Sequence, residues 1–202
     1  MTTFESYIPE TDFLATYDLK YFDGNWETDC NFLLYYVKLL KLHKSGNKKK
    51  FNGLNVPPKS CLYGVWCRGG YSNEKQRVPS KEWDGVYETK LKTEYPEFDL
   101  VLREFQKLYF PDFTYNQVII NRNFQCLPHK DKQNVGASII LGLGNYEGGD
   151  LCVQNENEQV FQLNLLHRLA KFNGSKFTHF VIPFDGERYT LVFYNINLIK
   201  RK

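Results

Sequence analysis

A histidine and an aspartate, His129 and Asp131, lie two residues apart in the segment LPHKDKQN. In extended backbone, residues i and i+2 point to the same face, so the imidazole and the carboxylate converge. The segment follows a run of β-forming residues, which places the pair at the end of a predicted strand. The spacing therefore predicts two ligands of a metal site.

A third ligand must come from another part of the chain, and two later histidines are candidates. His179 lies on a predicted strand in KFTHFVIPF, whereas His167 lies in LNLLHRLAKF, without the proline, glycine and arginine that follow His179. We favour His179 and interpret His167 as a surface histidine or one that supports a ligand. Two histidines and one carboxylate leave adjacent positions open on an octahedral iron(II) ion, as a chelating oxoacid and dioxygen require.

Arg188 follows the distal histidine by nine residues, in DGERYTLVFYN. An oxoacid that chelates iron through one end has a second carboxylate to be neutralised, and a guanidinium meets it with two charge-assisted hydrogen bonds. Thr190 faces the same way and can add a hydroxyl. We expect a turn at residues 183–186 to join the two strands. The alternative for Arg188 is a salt bridge to Asp185 or Glu187.

The apolar pattern predicts the elements that position these residues. Apolar residues at three-to-four spacing indicate an amphipathic helix between Cys30 and His43. A second helix is predicted from about Pro96 to Leu108, with an apolar face made of Leu100, Val101, Phe105 and Leu108. From Thr114 onward, short runs rich in β-branched and aromatic residues predict strands: NQVIINRNF, GASIILGL, DLCVQ, QVFQL, HFVIPF and RYTLVFYNINL.

This order of elements predicts a mainly β fold with N-terminal helices. Short strands without helices between them favour a sandwich, barrel or jelly roll over a parallel α/β sheet. With 202 residues, the chain suits one domain. We expect residues 1–113 to form a helical and loop-rich support and residues 114–202 to form the β core.

The composition is typical of a globular protein. Apolar residues make up 42% of the chain and aromatic residues 16%, and no run is apolar enough to cross a bilayer or to act as an export signal. Five scattered cysteines without a CxxC pair indicate free thiols, so we expect an intracellular protein, cytoplasmic or nuclear, without membrane contact. The net charge of +3 permits a polyanionic partner but does not by itself indicate one.

The segments NQVIINRN, PHKDKQN, LGLGNYEGGDL and THFVIPFDGERYTLVFYN together resemble the iron(II)- and 2-oxoglutarate-dependent oxygenases. Their signature is HxD, a distal histidine and an arginine about one strand later. The resemblance covers residues 114–195 and is greatest to the TET and base-J (JBP) branch, with AlkB-like enzymes more distant. It implies a double-stranded β-helix core of jelly-roll or cupin-like form, iron(II) and 2-oxoglutarate as cofactors, dioxygen as co-substrate and ascorbate as reductant.

The resemblance also implies roles for single residues. The two histidines and the aspartate become the iron ligands at the catalytic centre, and Arg188 and Thr190 bind 2-oxoglutarate. An asparagine on the strand before HxD helps to hold 2-oxoglutarate in the family, and Asn121 matches it. Asn123 stands where AlkB-like members carry a tyrosine. Asn134 extends the motif to HxDxxN, the form of the TET and JBP branch, and is assigned to the same cofactor site.

The substrate that the resemblance favours is a methyl group on a nucleic-acid base, 5-methylcytosine or thymine, in DNA rather than RNA. One alternative is a protein hydroxylase of the prolyl type with the same cofactors. A second alternative is a metal-free binding module of the same fold, although the complete ligand set and Arg188 argue against it.

Two segments of the first half are candidates for substrate contact. In related enzymes this half covers the substrate, and Arg68 and Tyr71, in VWCRGGYSNEKQRV, have side chains suited to pairing with phosphate and stacking on a base. An ordinary hairpin tip is the alternative. Residues 48–50 are three lysines, interpreted as a solvated loop or a nucleic-acid contact.

Overall fold

The protein is built from two antiparallel β-sheets and helices that cover the larger sheet. The computed structural model describes residues 14–17, 26–44, 58–67 and 86–197. The elements before the β core are β1 (Leu14–Tyr17), α1 (Trp26–Leu39), β2 (His43–Lys44), β3 (Lys59–Cys67), β4 (Val86–Glu88), α2 (Lys90–Glu94) and α3 (Pro96–Tyr109). Those of the core are β5 (Gln117–Arg122), β6 (Ser138–Gly148), β7 (Leu151–Gln154), β8 (Val160–Leu163), β9 (Leu169–Phe172), β10 (Thr178–Val181) and β11 (Phe184–Tyr194).

The order of strands confirms the predicted mainly β fold with N-terminal helices. Within the described residues, the larger sheet runs β1-β9-β6-β11-β5-β3-β2, with β4 paired to β3, and the smaller sheet runs β10-β7-β8. Neighbours in the larger sheet come from distant parts of the chain, as in a jelly roll. Strands β1 to β4 come from the half predicted to be helical and loop-rich, and they extend the same sheet.

The helices pack against the outer face of the larger sheet. Helix α1 buries Trp26, Cys30, Leu33 and Val37, and these residues join side chains of β5, β6 and β11 in one apolar cluster, the outer core. The Tyr109 hydroxyl of α3 donates a hydrogen bond to Asp29 of α1, which fixes one helix against the other. Among the described helices, none is long and apolar enough to span a membrane.

The second predicted helix has the expected bounds but a different buried face. Pro96 lies at its first turn, as predicted. The buried residues are Phe98, Leu102, Phe105 and Tyr109, whereas Leu100 and Leu108 are 65% and 62% exposed. The prediction was right for Phe105 and wrong for Leu100 and Leu108, because the face that meets the sheet follows the three-to-four spacing of the four buried residues.

Strand β11 separates the outer core from the interior between the sheets. Side chains alternate across a strand, so one face of β11 packs on the helices and the other lines the space between the sheets. The outer face carries Tyr189, Leu191 and Phe193. The inner face carries Arg188, Thr190, Val192 and Tyr194.

Three features of the chain differ from the sequence prediction. Residues 182 and 183 alone link β10 to β11, and Gly186, which was assigned to the turn, lies within β11 opposite Tyr146. Strand β9 was not predicted, because its sequence LAKF is short and alternates little. The predicted first helix extended to His43, but α1 ends at Leu39 and His43 begins β2.

Two leucines of α3 test the corrected face. Replacing Leu102, which is fully buried, by alanine should lower the free energy of unfolding by about 2–5 kcal/mol through lost burial and a cavity. The same change at Leu100, which is 65% exposed, should stay within about 0.5 kcal/mol. Denaturant unfolding measures both, and equal losses would contradict the assignment of the face.

Candidate functional site

The structure places His129 beside His179 through a pair of backbone hydrogen bonds. The His129 N–H donates to the His179 carbonyl at 3.1 Å, and the His179 N–H donates to the His129 carbonyl at 2.9 Å. His129 therefore lies in an isolated bridge to β10. The sequence had placed it at the end of the preceding strand, β5. The chain leaves β5 at Asn123, whose φ of 52° turns it toward the smaller sheet.

Three side chains converge at this bridge. Nε2 of His129 lies 3.5 Å from Oδ1 of Asp131, and Nε2 of His179 lies 3.4 Å from Oδ2 of Asp131. One ligand atom from each residue lies within 4.8 Å of the others. Among the described residues no other group of histidine, cysteine or acidic side chains has this arrangement. The predicted ligands therefore meet in a geometry that suits one metal ion.

Both imidazoles are held with the same nitrogen toward the centre. Nδ1 of His129 donates to the Leu127 carbonyl at 2.7 Å, and Nδ1 of His179 donates to the Phe177 carbonyl at 3.1 Å. A proton on Nδ1 leaves the Nε2 lone pair free for coordination. The ring of His179 also packs edge-on against Phe172, at 5.0 Å between centroids. Both histidines are thus oriented with Nε2 toward the centre, as metal coordination requires.

Asp131 is fixed through its backbone. The Asp131 N–H donates to the Gly174 carbonyl at 2.8 Å, which ties the HxD segment to the turn before β10. The side chains of His129 and Asp131 are 17% and 30% exposed, but that of His179 is only 6% exposed. The centre is therefore open to solvent on the side of Asp131 and closed behind His179.

His167 lies apart from this centre. It follows β8, where the Trp26 indole of α1 donates to its carbonyl at 3.0 Å, and its own N–H donates to Gly142 at 2.9 Å. Burial lowers the pKa of its imidazole, and Glu27 partly opposes that shift. His167 is half-buried, in a loop that the Trp26 hydrogen bond joins to α1, so it does not support a metal ligand.

Arg188 is buried at the other end of the cavity. Its side chain is 2% exposed, and its guanidinium lies 5.5 Å from the ring centroids of both Tyr146 and Phe184. Nη1 makes one long hydrogen bond, 3.4 Å, to the Phe124 carbonyl. Within the described residues, Nε and Nη2 are buried without a hydrogen-bond partner. A buried guanidinium with two unpaired nitrogens, which together carry three N–H groups, is an incomplete anion site.

The salt bridge considered as an alternative for Arg188 does not form. Glu187 points to the outer face of the sheet, where Arg122 and Lys38 contact its carboxylate at 2.6 and 3.2 Å. Burial lowers the pKa of Arg188, while Tyr146 and Cys126 oppose the shift. A guanidinium keeps its proton even so. The guanidinium is therefore buried, and no carboxylate of the described residues forms an ion pair with it.

The other predicted cofactor residues line the same space. Asn121 and Thr190 are direct neighbours across β5 and β11, and the Asn121 amide donates to the Thr190 hydroxyl at 3.3 Å. Asn134 donates to Ser138 at 3.3 Å at the open end. Ser60 of β3 pairs with Asn121 and extends this polar row. The sequence analysis missed Ser60, since no local pattern links it to residues of β5.

Asn123 has a structural role that the sequence did not indicate. Its side-chain carbonyl accepts a hydrogen bond from the Arg188 N–H at 2.9 Å, and its own N–H donates to the Arg188 carbonyl at 2.7 Å. These bonds hold the backbone of Arg188 where β5 ends. An asparagine suits the position because it tolerates positive φ and supplies an acceptor.

One cavity of about 300 Å³ connects these features. It has the volume of a small-molecule site and holds every predicted metal and cofactor residue in its lining: Asn121, His129, Asp131, Asn134, His179, Arg188 and Thr190. The predicted substrate residues Arg68 and Tyr71, and the lysines at 48–50, lie outside the described residues.

Comparison with solved structures identifies the fold. An oxidoreductase of the 2OG-Fe(II) oxygenase family from Burkholderia pseudomallei matches with a TM-score of 0.56 and 14% identity, over 90% of this chain and 84% of that one. NgTET1 in complex with 5mC DNA matches with a TM-score of 0.52 and 14% identity, over 94% of this chain and 74% of that one. A prolyl hydroxylase from Trichoplax adhaerens, in complex with a hypoxia inducible factor peptide fragment, matches with a TM-score of 0.51 and 12% identity, over 91% of this chain and 83% of that one.

These likenesses show the fold alone, because the identities are low. No protein-family model matches the sequence, and no curated protein matches it. The chain has the double-stranded β-helix fold of the iron(II) and 2-oxoglutarate oxygenases, as the sequence predicted.

Metal binding can be tested without turnover. Under anaerobic conditions, iron(II) at a hundred times its dissociation constant should stabilise the protein by about 2.7 kcal/mol, seen as a rise in melting temperature. Asp131→Ala and His179→Ala should lose this rise, because each removes a ligand. His167→Ala should keep it, even if its own melting temperature is lower. Loss of the rise in His167→Ala would show that the third ligand was misassigned.

Two glycines with positive φ test the space around Arg188. A Cβ at Gly149 (φ 68°) would lie 2.9 Å from both Cδ and Nε of Arg188, whereas a Cβ at Gly136 (φ 72°) would meet nothing within 4 Å. Alanine at either position should cost roughly 1–2 kcal/mol of backbone strain. Only Gly149→Ala should also weaken the calorimetric binding of 2-oxoglutarate. Equal binding by both variants would refute the packing role of Gly149.

Proposed function

We propose that this chain is an iron(II)- and 2-oxoglutarate-dependent dioxygenase. His129, Asp131 and His179 would hold the iron, and Arg188 would bind the distal carboxylate of 2-oxoglutarate. Bound iron supplies the reaction with dioxygen and the oxoacid, which oxidises a C–H bond of the substrate and yields succinate and carbon dioxide. The protein contributes the binding, the orientation and the exclusion of water.

The observation that carries the proposal is the charge of the cavity. Asp131 contributes one negative charge and Arg188 one positive charge, and the cavity lining contains no other aspartate, glutamate, lysine or arginine. A divalent ion at the neutral histidines would raise the total to two positive charges, which a dicarboxylate neutralises. Buried charges are stable only when they are paired. The cavity therefore fits a metal together with a dianion better than either alone.

The positions of these residues support one orientation of the oxoacid. Arg188 occupies the closed end, where its Nε and Nη2 lack partners, so one carboxylate belongs there. Thr190 and Asn121 lie between that end and the metal ligands on the same sheet. A 2-oxoglutarate molecule that extends from Arg188 to the metal would leave the side of Asp131 for the substrate, because that side is open to solvent.

For the substrate we propose a methyl group on a nucleic-acid base, with DNA favoured over RNA. The support is the HxDxxN form of the motif and the likeness in fold to a protein solved with 5mC DNA. A prolyl-type protein hydroxylase is the competing candidate, supported by the likeness to a hydroxylase solved with a peptide. Oxidation products distinguish the two, as does the partner that binds at the open side.

Arginine-to-lysine variants test the role of Arg188. Arg188→Lys keeps the charge but loses the two-pronged contact, so the affinity for 2-oxoglutarate should fall by about 1.5–3 kcal/mol. Arg122→Lys is the matched control, since its guanidinium contacts Glu187 outside the cavity. Titration of 2-oxoglutarate into anaerobic iron-loaded protein measures both, and unchanged affinity in Arg188→Lys would leave Arg188 a structural role.

A direct assay tests the reaction and the substrate class. The wild-type protein, iron(II), ascorbate, 2-oxoglutarate and dioxygen are incubated with methylated DNA, RNA or a peptide library, and mass spectrometry follows products and succinate. We expect oxidised bases. Oxidised peptides alone would replace the nucleic-acid substrate with a protein substrate, and no succinate in any mixture would refute the oxygenase activity.

A further inference from the structure

The segment that carries the metal ligands also forms an exposed rim at the open side of the cavity. We call residues 127–135 the rim segment. Its ligands His129 and Asp131 are partly buried, whereas Lys130 and Lys132 between and beside them are exposed. Leu127 and Val135 at its ends are also exposed, at 40% and 44%. The open side of the metal centre is thus bordered by two cations and two apolar side chains.

The positive charge of the rim segment is not neutralised locally. In the sequence, Asp131 is the only acidic residue between Asp112 and Glu147. Within the described part of the chain, neither Lys130 nor Lys132 forms an ion pair, whereas Lys176, in the neighbouring turn, is paired with Glu156 at 3.0 Å. Metal coordination would further occupy the Asp131 carboxylate. The two lysines therefore remain available to an external anion.

The 2-oxoglutarate proposed above does not account for these lysines. Its two negative charges balance the two net positive charges of the metal, Asp131 and Arg188, which all lie inside the cavity. The lysines lie outside the lining and stay unpaired when the cavity is filled. An anion that contacts them must approach with the substrate.

The backbone of the rim segment is firmly held, so its lysines have defined positions. Besides the bonds at His129 and Asp131, the Asn134 N–H donates to the Asp131 carbonyl at 2.9 Å. The Val135 N–H donates to the Asn195 carbonyl, next to β11, at 2.8 Å. A cation on a fixed backbone loses less conformational freedom on binding than one on a loose loop.

We propose that the rim segment contacts the phosphate backbone of a nucleic acid, with Lys130 and Lys132 binding phosphates next to the nucleotide whose base enters the cavity. This inference rests on the proposed function and assigns its substrate contact to named residues. A base attached to a polynucleotide always has phosphates on both sides, so anions accompany the reacting group whatever the sequence. Leu127 and Val135 would cover the apolar faces of neighbouring bases.

Paired variants test the contact by binding alone. Fluorescence anisotropy measures the affinity of labelled single-stranded DNA, of RNA of the same sequence and of a glutamate-rich peptide. The 202-residue chain carries iron(II) and 2-oxoglutarate, without dioxygen, over a range of salt concentrations. The test variant is Lys130→Gln with Lys132→Gln. The control is Lys90→Gln with Lys107→Gln, which removes equal charge from α2 and α3, two helices that contribute nothing to the cavity lining.

The salt dependence decides between the outcomes. Each phosphate contact adds about 0.7 to the slope of log affinity against log salt for a single strand, so the test variant should lose about 1.4 of slope. The control variant should keep the wild-type slope. Equal slopes in the two variants would overturn the assignment, and so would binding of the acidic peptide but of no oligonucleotide by wild-type protein.

Succinate release by the same wild-type preparation, measured separately with dioxygen, distinguishes this inference from the proposed activity. Turnover of 2-oxoglutarate without oligonucleotide binding would overturn the rim contact alone. Oligonucleotide binding with the expected slopes but without turnover would uphold the contact and refute the oxygenase.

Discussion

A single buried cation, the guanidinium of Arg188, imposes the strongest constraint on this structure. Placing it in the interior requires compensation, and among the described residues the faces of Tyr146 and Phe184 and one long hydrogen bond contribute to it. Its backbone is held by Asn123, and its side chain passes over Gly149 because no Cβ is there. Nε and Nη2 have no hydrogen-bond partner among the described residues, and the proposed 2-oxoglutarate would supply one.

Strand β11 transmits this constraint to the rest of the fold. Its outer face is part of the apolar core beneath α1 and α3, and its inner face carries Arg188 and the polar row toward the open end. Since alternation is strict, packing of the helices determines which residues reach the cavity. A one-residue shift of β11 against β5 would exchange the two faces, placing Arg188 in the apolar core.

The positions of the proposed metal ligands depend on a second, smaller set of interactions. The paired backbone bonds between His129 and His179 join a segment without regular strand structure to the smaller sheet, and carbonyls of Leu127 and Phe177 orient both rings. The cavity therefore has a closed end that holds charge and an open end that faces solvent. This polarity separates the place of the proposed co-substrate from that of a substrate, whatever its class.

The sequence by itself determined the fold class, the helix beginning at Pro96, most core strands and the residues His129, Asp131, His179 and Arg188. Such features depend on local periodicity and on residue types with few chemical uses. Only the tertiary structure decided the buried face of α3, the position of His167, and the neighbours Ser60, Asn123 and Tyr146. These follow from the register between strands far apart in the chain, and strand register depends on packing of whole faces, which no local pattern encodes.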